Sequence, residues 1–437
     1  MNAATPEHDE WFGQPKGLTF LFLTEMWEKF SYFGMRAMLV YYMTKQLHFS
    51  PSLSSLVYGM YGAGTYLTPI AGGMIADRWL GKRRAVIIGG SLMALGHFAM
   101  ASEALLFPAL ALIALGNGLF LPSLPSQVSG LYADHDPRRS GAYNVYYAGI
   151  NLGSLLAPLV CGTLGELYGW HYGFGAAGVG MCLGLANYMA GMKHLPVDIP
   201  ACTAGPAAAR LDAGLIKKLL YVGLAVVLFR IAYEQTGNSV ALWADSAVNH
   251  TIWGWEIPVT WVQSLNPAFI FLLTPLLMAH WRRAAMRGRE TAATRKMALG
   301  AFGLALSYLL LAGVCHAAGT QTVSGNWLAL FFLALTISEL YVLPVGLGLF
   351  AQIAPRGLGA TLVAAWYLAS FAGNLLAGIA GSAWDVSTPV QFFSGMAAIS
   401  TAAGLMLLGS RISSVHSLTD HERTHQARSI HPATGSP

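Results

Sequence analysis

The feature that most constrains this chain is a series of long apolar runs that recur from residue 18 to residue 410 with almost no charge inside them. Charged residues make up only 10% of the sequence, and hydrophobic residues 55%. Soluble domains run near roughly 25% charged, because their surfaces must be solvated. A chain this poor in charge has lipid as its solvent. Crossing a hydrocarbon core of roughly 30 Å takes about 20 apolar residues in a helix. The runs, divided at charged or Gly/Pro-rich breaks, fall at 18–43, 54–76, 85–102, 105–131, 142–165, 172–192, 214–244, 257–280, 297–315, 326–353, 359–383 and 389–410, which makes twelve. The expected fold class is an all-α membrane protein, multi-pass in a bacterial inner (plasma) membrane.

Orientation follows from the basic residues. With both termini cytoplasmic, the inside loops, tails and helix edges hold 21 of the 25 Lys and Arg residues, and the outside loops hold only Lys45. The other three, Lys29, Arg36 and Arg230, lie within spans. A split this uneven is a strong positive-inside signal, and one missed span would scramble it. The net charge of +5 therefore reads as a topology device, whereas nucleic-acid binding would need basic residues gathered on one folded face. The four cysteines, Cys161, Cys182, Cys202 and Cys315, show no CxxC pairing and read as small buried hydrophobes, with no disulfide framework or metal site. Residues 1–17 are acidic and polar, with no signal-peptide pattern. The sparse histidines of the C-terminal tail suggest a disordered end. His97 and His316 fall near span ends and are expected at the interface. No Ser/His/Asp, HExxH or P-loop pattern points to an enzyme.

Residues 193–213, which include the run TAGPAAAR, form the longest stretch before the tail without hydropathic character. They divide the chain into a tail (1–17), six spans (18–192), a linker (193–213), six more spans (214–410) and a second tail (411–437). Two six-helix bundles joined by a cytoplasmic linker resemble the major facilitator superfamily layout, in which each half holds inverted three-helix repeats. The loop after helix 2 reads Gly72-Gly73-Met-Ile-Ala-Asp77-Arg78-Trp-Leu-Gly81-Lys82-Arg83-Arg84 and is similar to that superfamily's cytoplasmic signature. Gly73, Asp77 and Arg78 are its expected conformational residues, the glycines allowing close helix approach.

Charge at membrane depth is costly, so each instance is a functional hypothesis. Helix 1 carries Glu25, Glu28, Lys29 and Arg36, helix 7 carries Arg230 and Glu234, and helix 10 carries Glu339. These are the first helices of three of the four triplets, and helices in equivalent repeat positions surround a common midplane cavity. On helix 1, Glu25, Glu28, Lys29, Tyr32 and Arg36 recur at i, i+3, i+4, i+7 and i+11 and share one face. A structural ion-pair seam would give the same stripe, but a hydrophobic replacement is often as stable.

The segment Glu25-Met-Trp-Glu28-Lys29-Phe30-Ser-Tyr32-Phe33-Gly34-Met-Arg36 resembles the helix 1 signature of the proton-dependent oligopeptide transporter family, E-x-x-E-R-F-x-Y-Y-G followed by Arg. Further resemblances run in order: Tyr66 on helix 2, Tyr146-Tyr147-Ala-Gly-Ile-Asn151 on helix 5, Tyr233-Glu234-Gln235-Thr-Gly237 on helix 7, Gln263-Ser264-Leu265-Asn266-Pro267 on helix 8, Glu339-Leu340 through Pro344-Val-Gly346 on helix 10, and Trp366-Tyr367 with Gly373-Asn374 on helix 11. The resemblance implies a proton-coupled symporter importing di- or tripeptides by alternating access. It gives proton coupling to Glu25, Glu28, Lys29 and Glu234. It gives substrate binding to Tyr32, Arg36, Tyr66, Asn151, Asn266, Glu339 and Trp366. Arg36 would hold the substrate carboxylate, a task for which a planar five-donor guanidinium is suited. No cofactor beyond the proton gradient, no nucleic acid and no obligate partner is implied, and the chain is expected to act as a monomer.

The sequence departs from the family pattern in the pocket. Helix 4 of the family reads G-x-G-x-x-K-P-N, and this chain has Gly116-Asn-Gly118-Leu-Phe-Leu121-Pro122-Ser123, so Leu121 stands where the Lys is expected and Glu339 loses that partner. Lys29 replaces the signature Arg, and Phe33 replaces a Tyr. Arg230 lies one turn before Glu234, which weakens a proton-carrying role for that residue. Arg230 either substitutes for the missing cation as a substrate-binding residue or neutralises Glu234. The linker is also too short for the two extra helices found in many bacterial members. A second reading therefore stands beside the first: the same fold handling another peptide-like or anionic metabolite, such as an amino-acid conjugate, with export as an alternative direction.

Overall fold

In the computed structural model, which describes residues 10–11, 13–133, 136–196, 213–252, 254–353 and 359–410, the apolar runs become twelve long helical rods. They are helix 1 (Lys16–Tyr41), helix 2 (Pro51–Ile75), helix 3 (Lys82–Ala99), helix 4 (Leu106–Ser123) and helix 5 (Arg138–Ala157, continued by Pro158–Gly162 and Thr163–Tyr168). Helix 6 is Trp170–Gly191, and helix 7 is Ala213–Tyr233, continued past a break by Ser239–Ala247. Helices 8 to 12 are Leu265–Met286, Ala293–Ala318, Gly325–Ile353, Gly359–Gly381 and Pro389–Gly409. Helices 4, 5 and 8 to 12 are long and apolar enough on composition alone to cross a bilayer. Helices 1, 3 and 7 carry charged residues that lower their hydropathy, and helices 2 and 6 are diluted by glycine. Helix 2 shows how a start is encoded: the Ser50 hydroxyl accepts from the Leu53 amide at 3.2 Å, and Pro51 occupies the first helical position.

Buried side chains gather into two cores. One is drawn from helices 1 to 6, and the other from helices 7 to 12 with Val40 and Tyr41 of helix 1. Between bilayer helices there is little hydrophobic driving force, so small residues that permit close backbone approach carry the packing. At Gly72 a Cβ would lie 2.1 Å from the Gly118 carbonyl oxygen, so helix 2 rests directly on helix 4. This corrects the expectation for Gly73, where a Cβ would meet Pro122 at an ordinary 3.5 Å. Asp77 and Arg78 lie exposed at the end of helix 2.

His97 is a second correction. Its ring turns inward from helix 3, is fully buried, and hydrogen-bonds to nothing among the described residues. Position near a helix end does not decide which way a side chain faces. The expectations for residues 1–9, for most of the linker with Cys202, and for residues 411–437 lie outside the described residues.

Candidate functional site

The membrane charges fall into three groups. In the first, all on helix 1, Lys29 Nζ lies 2.7 Å from Glu28 Oε2 and 3.5 Å from Glu25 Oε1. The Tyr146 hydroxyl of helix 5 donates to Glu25. Glu28 is wholly buried, and Lys29 is its one ion-pair partner among the described residues. The Lys29 ammonium sits 5.8 Å over the Tyr32 ring, and the Tyr32 hydroxyl lies 3.4 Å from Thr65 Oγ1 of helix 2.

The second group joins the halves. Glu234 offers one carboxylate oxygen to Arg36 of helix 1. Its other oxygen accepts from Arg230 Nη1 at 2.8 Å and from Asn374 Nδ2 of helix 11 at 3.3 Å. The Arg230 guanidinium also donates to the Tyr66 hydroxyl at 3.1 Å and covers that ring at 4.8 Å. Arg36 covers the Tyr58 ring at 5.0 Å. Two guanidinium groups thus share one carboxylate, and the Nε of each is buried without an acceptor among the described residues. Planar donor forks suit such sharing.

In the third group, Asn266 Nδ2 of helix 8 donates to Glu339 Oε2 at 2.6 Å and to Thr336 Oγ1 at 3.1 Å. The Tyr233 hydroxyl lies near Glu339 as well. No cation pairs with Glu339 among the described residues.

A cavity of about 160 Å³ lies against both the second group and the third. Arg36, Tyr58, Glu234, Asn266 and Glu339 all line it, with Asn151 and Tyr147 of helix 5. The helix 7 backbone makes this possible by breaking: Glu234–Gly237 forms a tight turn, and Gln235 Nε2 donates to the Ile231 and Ala377 carbonyls at 3.0 and 2.9 Å. Interrupted helices are tolerated at membrane depth where side chains satisfy the freed backbone groups and the break lines a cavity.

The cavity is sealed towards the face opposite the basic loops. There Lys45 pairs with Asp245 at 2.6 Å, and the Ser55 hydroxyl donates to Asn238 Oδ1 at 2.8 Å. The Glu166 carboxylate accepts from the Val259 and Thr260 amides at 3.0 and 2.9 Å. Trp261 Nε1 donates to Thr163 Oγ1 at 2.8 Å. Helices 2 and 11 nearly touch: a Cβ on Gly59 would lie 2.3 Å from the Gly378 Cα.

The sequence profile of the POT family matches residues 83–203 and 215–401. The chain belongs to the POT family. A Bacillus subtilis transporter, YclF, is 31% identical, with 91% of this chain and 94% of YclF aligned. A di-/tripeptide transporter of Lactococcus lactis subsp. cremoris is also 31% identical, over 91% of this chain and 95% of its own length. Among solved structures, a peptide transporter POT in complex with sulfate superposes with a TM-score of 0.85 at 30% identity, covering 92% of this chain and 95% of that one. The fold is that of the major facilitator superfamily, and this POT member is a membrane transporter.

Of the residues read from the sequence, Arg36, Asn151, Glu234, Asn266 and Glu339 meet at the cavity of this POT transporter. Glu25, Glu28, Lys29 and Tyr32 lie behind its wall, buried in the first half. Tyr66 and Arg230 brace Glu234 from the side of helix 11 and are not on the cavity lining. Of the two readings of Arg230, neutralisation of Glu234 is the one its contacts favour. Trp366 is a correction: its ring packs on Phe350 and against Gly346 in the second core, away from the cavity. Tyr58 and Glu166 were not legible beforehand. A Tyr on a glycine-rich helix and an acid at a span end look ordinary, and only the fold brings them to Arg36 and to the start of helix 8.

Proposed function

We propose that this chain is a proton-coupled symporter that imports di- or tripeptides across the bacterial inner membrane as a monomer, driven by the proton gradient with no other cofactor. The reading rests on one juxtaposition: Arg36 and Glu339 line the same small cavity, together with Asn151 and Asn266. A short peptide is a zwitterion. Its carboxylate matches the guanidinium, its ammonium matches a carboxylate that has no cation, and the amides complement its backbone. The kinship with a di-/tripeptide transporter supports the same substrate class.

Glu25, Glu28 and Lys29 are the proposed proton-coupling group. The two carboxylates outnumber the one ammonium they share, so a single proton balances the charge of the buried group. Glu234 takes a different part. Arg36 is already occupied by Glu234, so an incoming carboxylate replaces Glu234 on Arg36, and Arg230 and Asn374 keep Glu234 partnered after the exchange. This removes Glu234 from the proton carriers. Gly72 close to Gly118, with Asp77 and Arg78 beyond, is the proposed hinge-bearing end of helix 2.

The test is uptake of a panel of labelled peptides into proteoliposomes under an imposed inward-acid gradient, with N-acetylated and C-amidated forms beside the free ones. Free dipeptides are expected to accumulate and both blocked forms to fail. Leu121 in place of a family Lys favours the second reading, a non-peptide anionic metabolite. Uptake of such an acid with no competition by any peptide would establish that reading instead.

A further inference from the structure

The loop joining helices 8 and 9 gathers Arg282, Arg283, Arg287, Arg289, Arg295 and Lys296 around a single acid, Glu290. No ion pair ties any of the six to an acid among the described residues. All but Lys296 are exposed. A topology signal needs charge and nothing more, but this loop also encloses a built pocket of about 120 Å³. Trp281 and Tyr341 meet edge to face at 5.3 Å to form its wall, and Lys296 Nζ lies 4.8 Å over the Trp281 ring. His280, Thr291 and Glu290 complete the polar lining.

The position of the pocket identifies its occupant. Within roughly two and a half turns of Trp281, helix 8 leaves Leu272, Leu276 and Met278 well exposed, an apolar surface suited to acyl chains. Tryptophan and tyrosine favour the level where acyl chain gives way to headgroup. A cation held over an aromatic ring at that level, beneath a fringe of arginines, is chemistry for a phosphate carried on a lipid. Anionic headgroups attract such basic clusters with an energy that grows with each Lys or Arg near the surface. Nucleic acid is disfavoured, because the helix 8 residues that line the pocket continue into this exposed apolar surface.

We propose that the helix 8–9 loop and its Trp281–Lys296 pocket bind the headgroup of an anionic phospholipid from the leaflet bordering the basic face. Held there, the lipid bridges helices 8, 9 and 10 and stiffens the second half of the transporter.

The experiment is native mass spectrometry of the full chain released from nanodiscs of phosphatidylcholine containing phosphatidylglycerol. Wild type is expected to retain phosphatidylglycerol over phosphatidylcholine by about tenfold or more, as several surface cations acting together imply. Arg282→Gln/Arg289→Gln, at exposed positions that leave the fold intact, is expected to reduce retention several-fold. Trp281→Leu/Lys296→Gln is expected to abolish the preference. Lys217→Gln/Lys218→Gln, an equal loss of charge on the same face, is expected to leave it unchanged. Equal retention of both lipids by wild type, or an equal fall in the Lys217/Lys218 variant, would overturn the proposal. So would complete displacement by inorganic phosphate, which would make the pocket a free-anion site.

Discussion

Glu234 gives one oxygen to Arg36 and the other to Arg230, and that division has a measurable consequence. In the proposed exchange substrate takes Arg36, and Glu234 still has Arg230. With Arg230→Gln the displaced carboxylate is left buried and alone, and breaking a buried pair in this way costs about 3–5 kcal/mol. Part of that is recovered through Asn374, so KM is expected to rise roughly tenfold to a hundredfold with a smaller change in kcat. Arg230→Lys, which keeps the charge, should recover most of the loss. An unchanged KM in Arg230→Gln would show that Glu234 does not leave Arg36. Leu121→Lys in an Arg230→Ala background is not expected to restore binding, because Arg230 is not on the cavity lining. His97 offers a contrasting case. An unsatisfied buried imidazole opposes folding, and an apolar replacement of similar bulk is neutral or stabilising. His97→Leu is accordingly expected to keep or raise the melting temperature in detergent, and a clear fall would reveal a partner for the ring. Helix 1's charged face was legible because its spacing alone gathers Glu25, Glu28 and Lys29. The partners Tyr146 and Asn374 stood within recognisable motifs, yet nothing in their spacing says which acid each one meets.

At the scale of elements, span positions follow from hydropathy, and the run ends agree with the rods to within about four residues except at helices 4 and 8, where the run passes well beyond Ser123 and begins well before Leu265. What hydropathy does not contain is a break such as Glu234–Gly237, since a tight turn with satisfied carbonyls is as apolar overall as a helix. Gly237-Asn238 was the available signal. The distinction between Gly72 and Gly73 depends likewise on which face of helix 2 turns to helix 4, and adjacent residues differ by about 100° around the axis. The close approach of helices 2 and 11 is the firmest mechanical element on the sealed side. Gly59→Val is expected to force the two apart or overpack the contact, at roughly 1–3 kcal/mol, and to lower the melting temperature by several degrees. By contrast, Lys45→Ala removes a half-exposed ion pair, of the kind worth about 1 kcal/mol or less, and should barely move it. If Lys45→Ala proved the more damaging, the seal would be electrostatic and not steric.

For the whole molecule, two cores joined by a charged layer and sealed on one face describe one of the two states that alternating access requires. Family membership and the major facilitator fold were legible from ordered motifs across both halves. Substrate handling was less so, because Leu121 stands where a positive charge is expected and Arg230 adds one elsewhere, and only three-dimensional contacts show that it meets Glu234 and Tyr66. The central claim is that coupling resides in the buried Glu25–Glu28–Lys29 group, behind the cavity that holds the peptide. It is tested most directly by dipeptide uptake into proteoliposomes with and without an inward-acid gradient, comparing wild type with Glu28→Gln. The expected result is gradient-driven accumulation by wild type, with its loss in Glu28→Gln while counterflow exchange of the same peptide persists. Accumulation by Glu28→Gln with unaltered dependence on the gradient would contradict it.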